Sequence, residues 1–211
     1  MLSSPPSGAR PRGAARREAL LDAVLRVVAE VGADAVTHRR VAEVAGLPLA
    51  STTYWFDSKE HLLTAALERA AERDVEQLHA FLRDSPERTA NSLELVVGAL
   101  VDPTDGSAQT SRGRLLATYA LMLEAARRPA LRDVTVGWTN AYLDALEPLL
   151  AAAGSRDPRA HAEILVAATD GLLLEQLASG HASDDALPAG AARSFPLAPR
   201  VRQLADALVK A

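Results

Sequence analysis

The stretch VTHRRVAEVAGLPLASTTYWFDSKEHLL, residues 36–63, holds two short helical patterns split by Gly46-Leu47-Pro48 and the start of a longer one. Thr37 is a good N-cap for a helix over 38–45, because its hydroxyl can accept an N–H of the first turn. Gly46 closes that helix. Pro48 sits where a third helix begins, since a first turn does not use its missing N–H. That helix runs to about Trp55. Ser58 caps a fourth, with Glu60 favourably placed against its dipole. The third segment is unusual. From Leu49 to Thr53 it carries small or hydroxyl side chains where a core helix carries Leu and Ile, so it reads as a surface made to touch something.

Working outward, Leu20, Leu21, Val24, Leu25, Val27, Val28 and Val31 form a helical stripe upstream, ended by Gly32. Downstream, Leu62, Leu63, Ala66, Leu67 and Ala70 share one face of the fourth helix, which reaches about Leu82. About twenty-five residues make it roughly 37 Å long. Further helical segments fall near 86–101, 111–128, 129–153, 158–179 and 200–210. The breaks are DPTDGSAQTS, Pro129, GSRDP and the Pro/Gly/Ser-rich stretch 180–199. No alternating strand pattern survives, and the fold class is all-α.

The composition agrees. Of 211 residues 48% are hydrophobic and only 4% aromatic, with Ala and Leu dominant, which favours helices and supplies a core. The chain has no cysteine, hence no disulfide framework, thiolate metal site or Cys nucleophile. Apolar runs are too short to span a bilayer, and the N-terminus lacks the apolar core of a signal peptide. A cytoplasmic protein with no membrane partner is expected. The net charge is −4, but Arg10, Arg12, Arg16 and Arg17 stand in the first seventeen residues without an acid. A basic arm on an acidic body suits local contact with a polyanion. Residues 1–13 are expected to be a disordered basic arm.

Two short helices joined by a tight turn make a helix-turn-helix pattern, with Val41, Val44, Ala45, Leu47 and Phe56 as its apolar inside. The outer face of its second helix is then free to enter a major groove. The run from Arg17 to Leu63 resembles the DNA-binding domain of the TetR family of bacterial transcriptional regulators. The resemblance rests on Thr37, Val41-Ala42, Ala45-Gly46-Leu47, Tyr54-Trp55-Phe56, Ser58-Lys59-Glu60 and Leu62-Leu63. It implies a three-helix DNA-binding domain over 14–58, followed by a helical ligand-binding and dimerisation domain over 59–211. The chain departs from the family at Pro48, where Ser is usual, at Ala50, where Gly is usual, and at Thr52-Thr53, where Leu-Tyr is frequent. Base preference therefore cannot be copied from a relative.

The expected DNA contacts are Thr37, Arg39, Arg40, Leu49, Ser51, Thr52, Tyr54 and Lys59. Thr37 caps its helix and can also donate to a phosphate. Arginine reads guanine bidentately or clamps phosphate, and by resemblance Arg39 is the base reader of the pair. Leu49, Ser51 and Thr52 are placed on the outer side of the third helix. There Leu49 suits a thymine methyl, and the two hydroxyls suit bases or phosphates. Tyr54 and Lys59 are phosphate contacts. Trp55 either joins them or packs against the first helix, and Phe56 is core.

In 158–179 apolar residues surround nearly the whole helix, which calls for burial on more than one side. One side is the chain's own core and the other a second subunit, with Ala167, Ala168 and Gly171 allowing close approach. Leu143, Leu146, Leu149 and Leu150 supply the companion segment, which Pro148 is expected to kink, and two such helices from each subunit are expected to form a four-helix dimer interface. Candidate pocket residues are Phe81, Tyr119, Met122, Trp138, Asn140 and Asp170. Most residues of these types at helical spacing are core, while a carboxylate such as Asp170 in an apolar helix needs a partner.

There is no Gly-rich phosphate loop, nucleophile elbow or H-E-x-x-H. His38, His61, His79, His161 and His181 form no metal spacing. No enzyme and no cofactor is expected. The expected function is a homodimeric transcriptional regulator, by family default a repressor. It binds a pseudo-palindromic double-stranded operator and is released by an unknown small-molecule effector. The alternative is an all-α small-molecule binding protein with a vestigial DNA-binding module.

Overall fold

The computed structural model describes residues 9–84, 92–101, 108–179 and 197–210. Among them the regular elements are α1 (Ala9–Val31), a 3-10 turn (Ala33–Ala35), α2 (His38–Ala45), α3 (Leu49–Trp55), α4 (Lys59–Arg83), α5 (Ser92–Val101), α6 (Ala108–Ala125), α7 (Pro129–Ala152), α8 (Pro158–Ser179) and α9 (Leu197–Lys210). The fold is all-α, and among the described residues no helix is long and apolar enough to cross a membrane.

Three helices start earlier than composition suggests, α6 among them, at Ala108 instead of near residue 111. α1 begins at Ala9, so residues 9–13 of the expected arm are helical, with Pro11 in a first turn that has no N–H bond to lose. α9 begins at Leu197, and Pro199 likewise falls in its first turn. Residues 1–8 of the arm lie outside the described residues. So do 86–91, where the fifth helix was expected to start, and 180–196 of the long break.

Contacts divide the chain into two compact units. One holds the chain up to Ala70 together with Gly113–Arg132, and the other holds Ala71–Arg112 and Asp133 onward. These divisions fall inside α4, α6 and α7 rather than at the expected boundary after residue 58.

In the first unit the α1 stripe is buried at Leu20, Leu21, Val24, Leu25, Val27 and Val28, while Val31 at the helix end is exposed. α1 packs on α2 and α3. Val41, Phe56, Leu62, Leu63 and Leu67 complete this core. α2 ends in a Schellman motif. Gly46 takes the left-handed conformation at φ 66°, Leu47 N donates to Ala42 O at 2.9 Å and Gly46 N to Glu43 O at 3.1 Å. A non-glycine residue at this φ is strained, so Gly46 makes the sharp turn into α3 cheap. Arg26 Nη2 also donates to Val44 O at 3.1 Å, satisfying another carbonyl at the end of α2. Ser58 Oγ accepts from His61 N at 3.1 Å and so caps α4. An Arg69–Glu18 ion pair at 2.8 Å ties α4 to α1.

The second unit is built on Leu78, Val96, Val97, Leu100, Leu143, Leu146, Leu150, Leu165, Val201 and Ala205. α9 packs on both α5 and α8. Leu143, Leu146 and Leu150 thus belong to this chain's own core, which corrects their assignment to a subunit interface. Their i, i+3, i+7 spacing forms one stripe, and that stripe is used up inside the unit. α7 continues through Pro148. The Arg159 guanidinium joins α8 to α7, donating to Asp144 Oδ1 at 2.6 Å and Glu147 Oε2 at 3.3 Å. The Asp144 bond, opposed by desolvation, raises its pKa above the ordinary arginine value, so the clamp stays charged. Arg202 of α9 pairs with Glu94 of α5.

α5 carries Gly98 beneath the Phe81 ring, where a Cβ would lie 2.2 Å from Phe81 Cζ. Gly98→Ala should therefore lower stability by about 1–3 kcal/mol through overpacking, less the roughly 1 kcal/mol of helix propensity that alanine adds. At Gly137 of α7 an added Cβ meets nothing within 4 Å, so Gly137→Ala should stabilise by about 0.5–1 kcal/mol. Urea unfolding of the two variants measures the contrast. Equal effects would mean that Phe81 moves aside freely.

Candidate nucleic-acid interface

α3 is only two turns long, and its two sides differ sharply. Thr52 is 0% exposed, and its hydroxyl donates to Leu49 O at 2.8 Å. This corrects its placement among the DNA contacts. Thr52 stands four residues before Phe56, itself buried, and i, i+4 residues share a helix face. The outer face is made by Leu49, 50% exposed, with Ala50, Thr53 and Tyr54. Ala50 and Thr53 stand on this face although they are not among the expected contacts. Ser51 is half-buried.

Tyr54 is 77% exposed. Its ring meets Trp55 edge to face, with centroids 5.0 Å apart at 89°. Trp55 packs against α1, where a Cβ on Gly13 would sit 3.6 Å from the indole. The choice left open for Trp55 thus falls to packing, and its indole braces the exposed phenol. The Arg17 guanidinium lies 5.8 Å from the Phe56 ring centroid, a cation–π contact between α1 and the end of α3.

Thr37 caps α2 by accepting from Arg40 N at 3.2 Å. Arg39 and Arg40 are both exposed and line an open groove of about 730 Å³ with Ala35, Thr37, Glu43 and Val44. Lys59 Nζ donates to Asp34 O at 2.8 Å and lies 3.8 Å from Asp34 Oδ1. It therefore ties the start of α4 to the 3-10 turn. An ammonium has three donors, so this bond leaves others for a phosphate.

The six pocket candidates are not gathered in one unit. Tyr119 and Met122 fall in the first, and Phe81, Trp138, Asn140 and Asp170 in the second. Tyr119 is buried and Met122 half-buried. Trp138 Nε1 donates to Asp74 Oδ2 at 3.1 Å, and the Tyr142 hydroxyl donates to the same oxygen at 2.7 Å. Asp74, unremarked in the sequence, thus organises two aromatics. Asn140 is exposed and accepts from Arg159 Nη2 at 3.4 Å. It belongs to the α7–α8 surface clamp, which corrects its placement in a pocket, because residues 140, 144 and 147 share the outer face of α7. Phe81 lies on Gly98. Asp170 is half-buried and has an interaction partner.

A family model described as "Tetracyclin repressor-like, C-terminal domain" matches residues 91–211. The HTH-type transcriptional regulator BetI of Rhizobium meliloti (strain 1021) is 32% identical over 122 residues. That match covers 51% of this chain and 60% of BetI, so the chain spans about three-fifths of that relative. The multidrug binding protein EbrR, solved in complex with ethidium, is 32% identical with a TM-score of 0.62, over 92% of this chain and 97% of that one. A transcriptional regulator from Rhodococcus sp. Rha1 superimposes with a TM-score of 0.76 over 92% of this chain and 95% of its own. At 19% identity it shows the fold alone. With more than half of its length under one family model and a 32% identical structure matched almost end to end, the chain belongs to the TetR family, whose members are transcriptional regulators rather than enzymes.

Proposed function

We propose that the chain is a homodimeric repressor that reads a pseudo-palindromic operator through α2 and α3 and leaves it when a small organic effector binds the helical region beyond α3. The observation that carries this reading is the outer face of α3. Leu49, Ala50, Thr53 and Tyr54 are exposed on a short helix whose other side holds buried Thr52 and half-buried Ser51 and Trp55, with the Arg39–Arg40 pair on the helix before it. Such a helix enters a major groove while flanking basic and hydroxyl groups hold phosphates. Thr37, Tyr54 and Lys59 are the phosphate set in this reading, and Arg39, Leu49 and Ser51 face base edges. EbrR, with its bound ethidium, supports an organic effector. A coupling of 1–3 kcal/mol would weaken operator binding roughly 5–150-fold.

The dimer has its own support. On α8, Ile164 is 46% and Leu174 43% exposed, and Ala167 and Gly171 between them are exposed too. These four stand at i, i+3, i+7 and i+10, an apolar stripe whose small middle residues admit a second helix closely. Two copies joined there would present two recognition helices to half-sites about one helical turn, roughly 34 Å, apart.

Fluorescence anisotropy with operator DNA selected from random duplexes tests the reading. Arg39→Ala should cost about 1–3 kcal/mol of operator affinity and relax selectivity at one position per half-site. Retained affinity and selectivity would remove Arg39 from the contact set, and a selection that yields no sequence above random DNA would favour the vestigial-module alternative. Ile164→Glu should shift sedimentation from dimer to monomer and weaken operator binding with it. A variant that stays dimeric at micromolar concentration would place the interface elsewhere.

A further inference from the structure

The outer face of α3 also specifies the chemistry of what it reads. The helix and its cap, LASTTYWF over residues 49–56, contain no Arg, Lys, Asn, Gln, Asp, Glu or His. None of the side chains that pair bidentately with a base edge is present. Apart from the indole N–H of Trp55, whose ring packs against α1, only hydroxyls remain as hydrogen-bonding groups, and two of them are already turned to the backbone. Thr52 is buried and bonded to Leu49 O at 2.8 Å, and Thr53 Oγ1 donates to Ala50 O at 3.4 Å. With its hydroxyl directed to the backbone, the other branch of the exposed Thr53 side chain is a methyl. Ala50 adds a second methyl and Leu49 an isobutyl group that is half in water. Leu49 and Thr53 are four residues apart, with Ala50 next to Leu49, so the three share one apolar face.

We infer that this face recognises the C5-methyl groups of thymines in the major groove, with Leu49, Ala50 and Thr53 as the specificity-determining residues of α3. Thymine alone among the four bases carries a methyl there. An apolar face gains by burying it and gains nothing from cytosine, which has a hydrogen at that position. Hydrogen-bond readout is left to Ser51 and to the Arg39–Arg40 pair of α2. The inference rests on the DNA-reading function proposed above.

The test uses the full-length wild-type chain. Operators are selected from random duplexes, and each thymine in the selected half-site is then replaced by deoxyuridine. This removes the methyl and leaves every hydrogen-bonding group in place. One to three positions per half-site should weaken binding about 4-fold each, the worth of one buried carbon. Thr53→Ser, which keeps the hydroxyl and removes the methyl, should abolish the effect at one of those positions and leave the others. Selected operators whose fully deoxyuridine-substituted form binds within 1.5-fold of the parent would overturn the inference and leave the DNA-reading function standing. If selection yields no sequence above random DNA, the DNA-reading function falls and this inference falls with it.

Discussion

The turn at Gly46 is the constraint from which the first unit follows. α2 can stop after eight residues because a left-handed residue lets Leu47 N reach Ala42 O and Gly46 N reach Glu43 O. The chain then changes direction within Leu47-Pro48, and α3 begins without needing the N–H that Pro48 lacks. Had α2 continued, residues 49–55 would have formed two more turns of it, and their outer face would not stand apart. A single backbone conformation thus separates a helix that packs from one that is displayed. The display is then held by packing, with Phe56 buried under Arg17 and Trp55 against Gly13.

That arrangement explains the mixed chemistry of α3. Its inner side must satisfy a core, and Thr52 does so by returning its hydroxyl to Leu49 O. The outer side has no such demand and carries Leu49, a residue whose exposure costs free energy unless a partner covers it. The second unit repeats the logic at larger scale. α7 spends its leucine stripe inside its own core, while α8 leaves Ile164 and Leu174 to the outside. Leu49 in the first unit and Ile164 and Leu174 in the second are exposed apolar groups that a partner, DNA or a second copy, is proposed to cover.

The contact between α4 and α7 in the second unit is organised differently. Asp74 accepts from Trp138 and Tyr142, so two aromatics spaced i, i+4 on α7 are oriented by a carboxylate on α4. Hydrogen bonds of this kind fix ring orientation, which an apolar contact alone does not. Asn140, two residues beyond Trp138, lies in a different environment altogether, bound to Arg159 at the surface.

The sequence by itself determined the helices, their caps and the helix-turn-helix. These depend on local chemistry, on a hydroxyl at Thr37, a glycine at 46 and a proline at 48, and such signals act within one or two turns. It also determined the core stripe of α1, because 3.6-residue periodicity is a property of the chain alone. What only the tertiary structure decided is which side of each short helix is spoken for. Thr52 and Thr53 are the same residue type one position apart, and only the placement of Phe56 and α1 buries one and exposes the other. Leu146 of α7 and Ile164 of α8 are similarly hydrophobic, yet one lies in the core of the second unit and the other is exposed. Burial is a long-range property, set by what packs opposite, and neither composition nor spacing within a helix carries that information.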